Sequence, residues 1–181
     1  MNKNIKSKIK ISIIGLGYVG LPLALEYSKY FSVIGFDINK KRIKELKSGI
    51  DSTNEVNSSR VFANKKITFT SNRIQLKGSN YYIITVPTPV DEKKEPNLKV
   101  LEEAAKTIGA VISKSEIVIL ESTVFPGITE NFVGKIIERV SGLKHLYDFN
   151  LAYSPERINP GDKRFKLTNI KKIVAADNKN T

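Results

Sequence analysis

The segment Gly15-Leu16-Gly17-Tyr18-Val19-Gly20 follows the apolar run Ile11–Ile14 and opens a stretch of helical period. Three glycines at this spacing form any of several turns, but between a strand and a helix each has a separate task. Gly15 permits the tight turn out of the strand. Gly17 lets the backbone approach a pyrophosphate, and Gly20 lets helix and strand pack closely. A diphosphate then lies against N–H groups that the first helical turn leaves without intrahelical partners.

The confirming acid is Asp37, 22 residues after Gly15 at the end of the run Ile34-Gly35-Phe36. There a carboxylate accepts hydrogen bonds from the adenine ribose hydroxyls. Its alternative role is to cap the helix expected over Lys40–Ser48. A carboxylate at this point repels a 2′-phosphate and so argues for NAD. Lys40, Lys41 and Arg42 argue the other way, since an arginine can accommodate that phosphate, and NAD is the expectation.

The rest of the chain repeats the alternation. Strand-like runs are Lys8–Ile14, Ser32–Asp37, Ile67–Thr70, Tyr81–Val86, Glu116–Leu120, Asn150–Tyr153 and Lys172–Ala175. Helical period is read over Tyr18–Tyr30, Lys40–Ser48, Leu98–Ser113 and Thr129–Val140, with a short helix around Val56–Ala63. Strands alternating with helices imply βαβ units. The expected fold class is therefore α/β: a Rossmann-type doubly wound, mostly parallel sheet in a three-layer αβα arrangement. At 181 residues, residues 1–181 are expected to form a single domain.

Composition narrows the chemistry. No cysteine is present, which excludes disulfides, thiolate zinc sites, iron–sulfur clusters and a cysteine nucleophile within this sequence. Thirty Lys+Arg against 18 Asp+Glu give a net charge of +12. The lysines are scattered among Asn and Ile, without the aromatic-interleaved basic stretch that nucleic-acid binding calls for, so no nucleic-acid partner is expected. Lysines up to Lys10 precede the apolar run Ile11–Leu25, in outline a secretory signal. The three glycines interrupt that run, Glu26 follows it without a cleavage site, and it is shorter than the roughly 20 residues needed to span a bilayer. The expectation is a cytoplasmic protein with no membrane partner. The lone His145 is read as a surface-loop residue. Ser154 lacks the GxSxG elbow of a nucleophile, and GxxxxGK[ST] is absent.

Three loops follow strands on the edge where open parallel sheets bind ligands: Val86-Pro87-Thr88-Pro89, Glu121-Ser122-Thr123-Val124-Phe125-Pro126-Gly127 and Tyr153-Ser154-Pro155-Glu156-Arg157-Ile158-Asn159-Pro160-Gly161. Together with the extended motif Ile14–Pro22, these loops make the sequence similar to the UDP-glucose/GDP-mannose dehydrogenase family. The segments Arg157–Lys163 and Leu167–Ile170 most resemble its bacterial UDP-N-acetylhexosamine 6-dehydrogenases, which supply uronic acids for surface polysaccharides. The resemblance runs from about Ile9 to Ala175.

The resemblance implies roles for individual residues. Within the cofactor-binding turn of Gly15, Gly17 and Gly20, Tyr18 and Val19 would offer backbone contacts to the cofactor phosphates, Asp37 would hold the adenosine ribose, and Arg42 would sit beside it. Thr88 and Thr123 would lie near the nicotinamide half, and Ser122 would also bind the cofactor. Glu156 would be the catalytic glutamate that acts on water, and Arg157 and Ile158 would touch a UDP-sugar. The reaction implied is oxidation of a C6 alcohol to a carboxylate by two hydride transfers, with a cysteine trapping the intermediate aldehyde and a lysine and an asparagine stabilising the oxyanion. In the family those three residues, a dimerisation helix and a UDP-binding domain lie beyond the stretch represented here. This chain is therefore expected to be the N-terminal part of a longer, homodimeric enzyme and inactive alone. Two other readings stay open: a stand-alone dinucleotide-binding module or remnant, and another two-domain dehydrogenase that shares only this half.

Overall fold

The computed structural model describes residues 9–62, 66–90, 92, 95–156, 171–179 and 181. The strands are β1 (Lys10–Ile14), β2 (Ser32–Phe36), β3 (Ile67–Thr70), β4 (Tyr81–Ile84), β5 (Ile117–Leu120), β6 (Asn150–Tyr153) and β7 (Ala175–Ala176). They form one sheet in the order β3-β2-β1-β4-β5-β6-β7. Pairing is parallel from β3 through β6, and only β7 runs antiparallel, against β6. The expected α/β fold is thus borne out, and the chain reverses its direction of winding between β1 and β4.

Helices α1 (Gly20–Tyr27), α2 (Lys40–Lys47), α3 (Ser58–Phe62), α4 (Lys99–Gly109) and α5 (Lys135–Ser141) connect the strands. Alternate strand residues feed two separate cores, as the period of two dictates. Ile11 and Ile13 pack with Leu21, Leu25, Ile43 and Leu46 from α1 and α2 on one face. Ile14, Tyr82 and Ile84 pack with Leu101, Ile108 and Ile137 from α4 and α5 on the other. Ser12, fully buried in this sheet, satisfies its hydroxyl against Ser79 Oγ at 2.7 Å.

Several boundaries differ from the sequence reading. Tyr18 and Val19 belong to the turn and α1 begins at Gly20; Pro22 falls in its first turn, where a missing N–H costs nothing. The Thr129–Val140 segment starts as a π-helical turn over Thr129–Gly134 before continuing as α5. A short 3₁₀ turn at Arg73–Leu76, capped by the Asn72 side chain, was not anticipated. The last strand is Ala175–Ala176 instead of Lys172–Ala175. Ile173 and Val174 are apolar but 59% and 64% exposed, so hydrophobicity alone misplaced the pairing. His145 is not on an open loop either. Its Nε2 lies 2.7 Å from Asp177 Oδ2, its ring stacks near Phe149, and its side chain is only 14% exposed.

The β1–α1 contact is closest at Gly20. A Cβ there would stand 1.9 Å from the Gly15 carbonyl oxygen and 2.5 Å from Thr85 Oγ1. Backbone cannot yield as a side-chain tip can, so Gly20→Ala is expected to cost about 2–3 kcal/mol of stability. Urea unfolding measures it, and a loss below about 0.5 kcal/mol would contradict this account of the contact.

Candidate functional site

The reversal between β1 and β4 leaves a crevice at the carboxyl ends of the strands, where doubly wound sheets bind ligands. A cleft of ≈ 220 Å³ occupies it, lined by Gly15, Gly17, Asp37, Ile38, Pro87 and Val100 among others. Gly15 turns the chain out of β1 with φ = 95°, and its N–H donates to Phe36 O at 2.9 Å. Thr85 Oγ1, at the end of β4, donates to Gly15 O at 2.8 Å and fixes the turn from the other side.

The next peptide is held by two charged side chains. Leu16 N–H donates to Asp37 Oδ2 and Leu16 O accepts from Arg42 Nε, both at 2.9 Å. Asp37 also accepts from Asn39 N–H at 2.9 Å. It does not cap α2, because Asn39 does, accepting from the N–H groups of Lys41 and Arg42. Arg42 is buried, and its guanidinium is committed to Leu16, Asp51 and Ser52. Its contacts support the loop from behind, and that geometry removes it from the group that could accommodate a 2′-phosphate.

The residues fit a dinucleotide. Apart from its two chain neighbours, a Cβ on Gly17 would meet no atom within 4 Å, so packing does not demand that glycine. The space it leaves faces the cleft, beside the N-terminal turn of α1 with Tyr18, Val19 and Gly20. Ile38, in the cleft lining, is 76% exposed.

Farther along the same edge, the loops after β4 and β5 are joined to one another. Ser122 Oγ donates to Val86 O, and Thr88 Oγ1 to Thr123 O, each at 2.6 Å. Three residues expected to bind the cofactor thus first shape each other's loops. Beyond β6, the Glu156 side chain is 9% exposed and its Oε2 lies 4.0 Å from Lys172 Nζ. Ser154 Oγ, two residues earlier, is buried without a hydrogen-bond partner among the described residues. Arg157 and Ile158 lie outside the described residues.

Sequence reasoning missed Thr85, Asp51, Glu121 and Lys172. Thr85 was hidden in an apolar strand run, Glu121 and Lys172 pair across 51 residues, and Asp51 pairs with Arg42 nine residues before it. Among the described residues no helix is long and apolar enough to cross a membrane, and no group of three His, Cys, Asp or Glu is placed to hold a metal.

Comparison with known proteins agrees with this geometry. The chain is 51% identical over 168 residues to the UDP-N-acetyl-D-glucosamine 6-dehydrogenase of Salmonella typhi, covering 93% of this chain and 40% of that protein. It is 50% identical to the Pseudomonas aeruginosa protein of the same name, over 92% of this chain and 40% of that one. Among solved structures, the NDP-N-acetyl-D-galactosaminuronic acid dehydrogenase of Methanosarcina mazei superposes with a TM-score of 0.86 at 28% identity, over 98% of this chain and 40% of that one. The chain thus spans about 40% of the length of these relatives. Residues 9–181 match the model of the UDP-glucose/GDP-mannose dehydrogenase family, NAD binding domain, and the chain belongs to that family as an NAD-binding domain.

Proposed function

We propose that this chain is the cofactor-binding portion of an enzyme that oxidises the C6 alcohol of a UDP-N-acetylhexosamine to a carboxylate, reducing two NAD⁺. The observation that carries the proposal is a dinucleotide cleft at the β1/β4 reversal with Glu156 on the same sheet edge. The roughly 50% identity to two UDP-N-acetyl-D-glucosamine 6-dehydrogenases supports the choice of sugar class.

Bound NAD⁺ would supply the hydride acceptor that the oxidation needs. The chain's own residues orient it. Asp37 takes the ribose hydroxyls, the first turn of α1 takes the diphosphate, and the joined loops bearing Thr88, Ser122 and Thr123 wall the nicotinamide end. Glu156 draws a proton from the water that releases the acid. The sequence holds no cysteine, so the nucleophile that captures the aldehyde must come from outside it, and the 181-residue chain alone binds NAD⁺ without completing turnover. In the complete protein, arranged as a homodimer in the cytoplasm, Arg157 and Ile158 contact the UDP-sugar.

Calorimetric titration of the folded chain with NAD⁺ and NADP⁺ tests this. NAD⁺ is expected to bind at least tenfold more tightly. Asp37→Asn is expected to weaken NAD⁺ by about 10- to 100-fold, the worth of hydrogen bonds to a charged group. Equal binding of both cofactors, or none by a folded chain, would overturn the reading.

A further inference from the structure

Strand β5 ends at a carboxylate to which the proposed reaction gives no task. Glu121 is 4% exposed, and its N–H is fixed in the sheet by Ile84 O at 2.8 Å. Its partner comes from 51 residues along the chain: Lys172 Nζ donates to Glu121 Oε2 in an ion pair whose side chains are 20% and 3% exposed. The same ammonium is 4.0 Å from Glu156 Oε2. Ser154, at the head of the Glu156 loop, is tied to the end of β5 by its N–H on Leu120 O at 2.9 Å. Two carboxylates on adjacent strand ends therefore share one lysine.

A buried ion pair is weak evidence of a stabilising role, because desolvation consumes most of its attraction. Its arrangement here suits a different task. A general base must stay ionised and keep a lone pair for the proton it takes. An ammonium paired with it one to one would hold the carboxylate in place but reduce its basicity. An ammonium already neutralised by a second carboxylate would hold it without that penalty.

We propose that Lys172 and Glu121 are positioning residues for Glu156: Lys172 orients the Glu156 carboxylate, and Glu121 takes up most of the lysine's charge so that Glu156 can accept a proton from water. The proposal rests on the reading of Glu156 given above. The unequal distances, direct contact with Glu121 and 4.0 Å to Glu156, are what such a division of charge requires. Burial raises the proton affinity of Glu121, Lys172 lowers it, and the neighbouring Glu156 charge raises it again. Tyr27 feels the same carboxylate: burial and the Glu121 charge push its phenol up to about 12.

Carbon-detected NMR of the 181-residue chain with ¹³C-labelled glutamate carboxyls tests the coupling, with Glu121→Gln and Glu156→Gln assigning the two resonances. Lys172→Met is expected to shift the Glu156 resonance and to move the Glu121 titration upward. Lys172→Arg is expected to restore both, and Glu121→Gln to shift the Glu156 resonance. Should Lys172→Met fail to fold because it strands a buried charge, the double variant Glu121→Gln/Lys172→Met, which strands none, carries the test through the Glu156 resonance. A Glu156 resonance and titration unchanged from the native chain in whichever of these variants folds would overturn the proposal. NAD⁺ binding by the native chain is measured separately, so that failure of the cofactor reading and failure of the carboxylate coupling are told apart.

Discussion

Gly17→Ala is expected to fold at least as well as the native chain and to lose NAD⁺. Apart from its two chain neighbours, the added Cβ meets no atom within 4 Å, and Gly17 does not need the left-handed backbone that Gly15 adopts at φ = 95°. Replacing a glycine where alanine fits reduces the freedom of the unfolded chain and raises stability by about 0.4–1 kcal/mol. The same methyl group enters the space through which the diphosphate must approach the backbone. Affinity for NAD⁺ is expected to fall more than about 100-fold, which corresponds to at least about 2.7 kcal/mol of binding. Urea unfolding and calorimetry on the same preparation decide the matter. A variant that keeps its affinity, or loses it only together with its stability, would mean that Gly17 serves the fold and not the ligand.

Gly17 and Gly20 stand three residues apart in one motif and fail in opposite ways, and that division was legible before any coordinates. It follows from strand, turn and helix in sequence, each marked by local periodicity, with Asp37 at the spacing that completes the pattern. The parallel sheet was legible for the same reason, because every strand through β6 is a short apolar run bounded by turn residues. Contacts that join distant loops left no such trace. Arg42 lies in the polar run Lys40-Lys41-Arg42 and was expected beside the adenosine ribose, yet it is buried with its guanidinium on Leu16, Asp51 and Ser52. One local clue existed: Arg42 precedes the buried Leu46 by four residues and so shares its inward face. Glu121 with Lys172, and His145 with Asp177, are separated by 51 and 32 residues. Periodicity cannot pair side chains across such intervals. β7 was expected a few residues too early because its two residues carry no pattern, and the neighbouring Ile173 and Val174 carry a misleading one.

Asp51 is where that unreadable part of the fold bears on cofactor binding. Its carboxylate accepts Arg42 Nη2 at 2.7 Å, Thr53 Oγ1 at 2.6 Å, and the N–H groups of Thr53, Glu55 and Val56 at 3.1, 3.0 and 2.9 Å. Arg42 in turn holds Leu16 O in the glycine loop. Asp51→Asn removes the charge, turns an amide toward groups that are themselves donors, and leaves Arg42 buried without its counter-ion. Breaking one side of a buried pair costs about 3–5 kcal/mol, here with a weaker hold on NAD⁺ because the loop loses its anchor. The effect has a pH signature. Burial opposes ionisation of Asp51, but the hydrogen bonds from Thr53, Arg42 and Val56 outweigh it and hold the carboxyl below its usual 3.8. A carboxylate with a depressed folded-state value stabilises fully above the unfolded value and loses that contribution as pH falls through the folded one. The stability gap between native and Asp51→Asn chains is therefore expected to be constant from neutral pH down to about 4 and to shrink below 3.8. Urea unfolding of both chains across that range measures the gap. A gap under about 1 kcal/mol at neutral pH, or one that stays level through the acid limb, would show that the fold does not rely on the ionised Asp51 to hold Arg42 beneath the glycine loop.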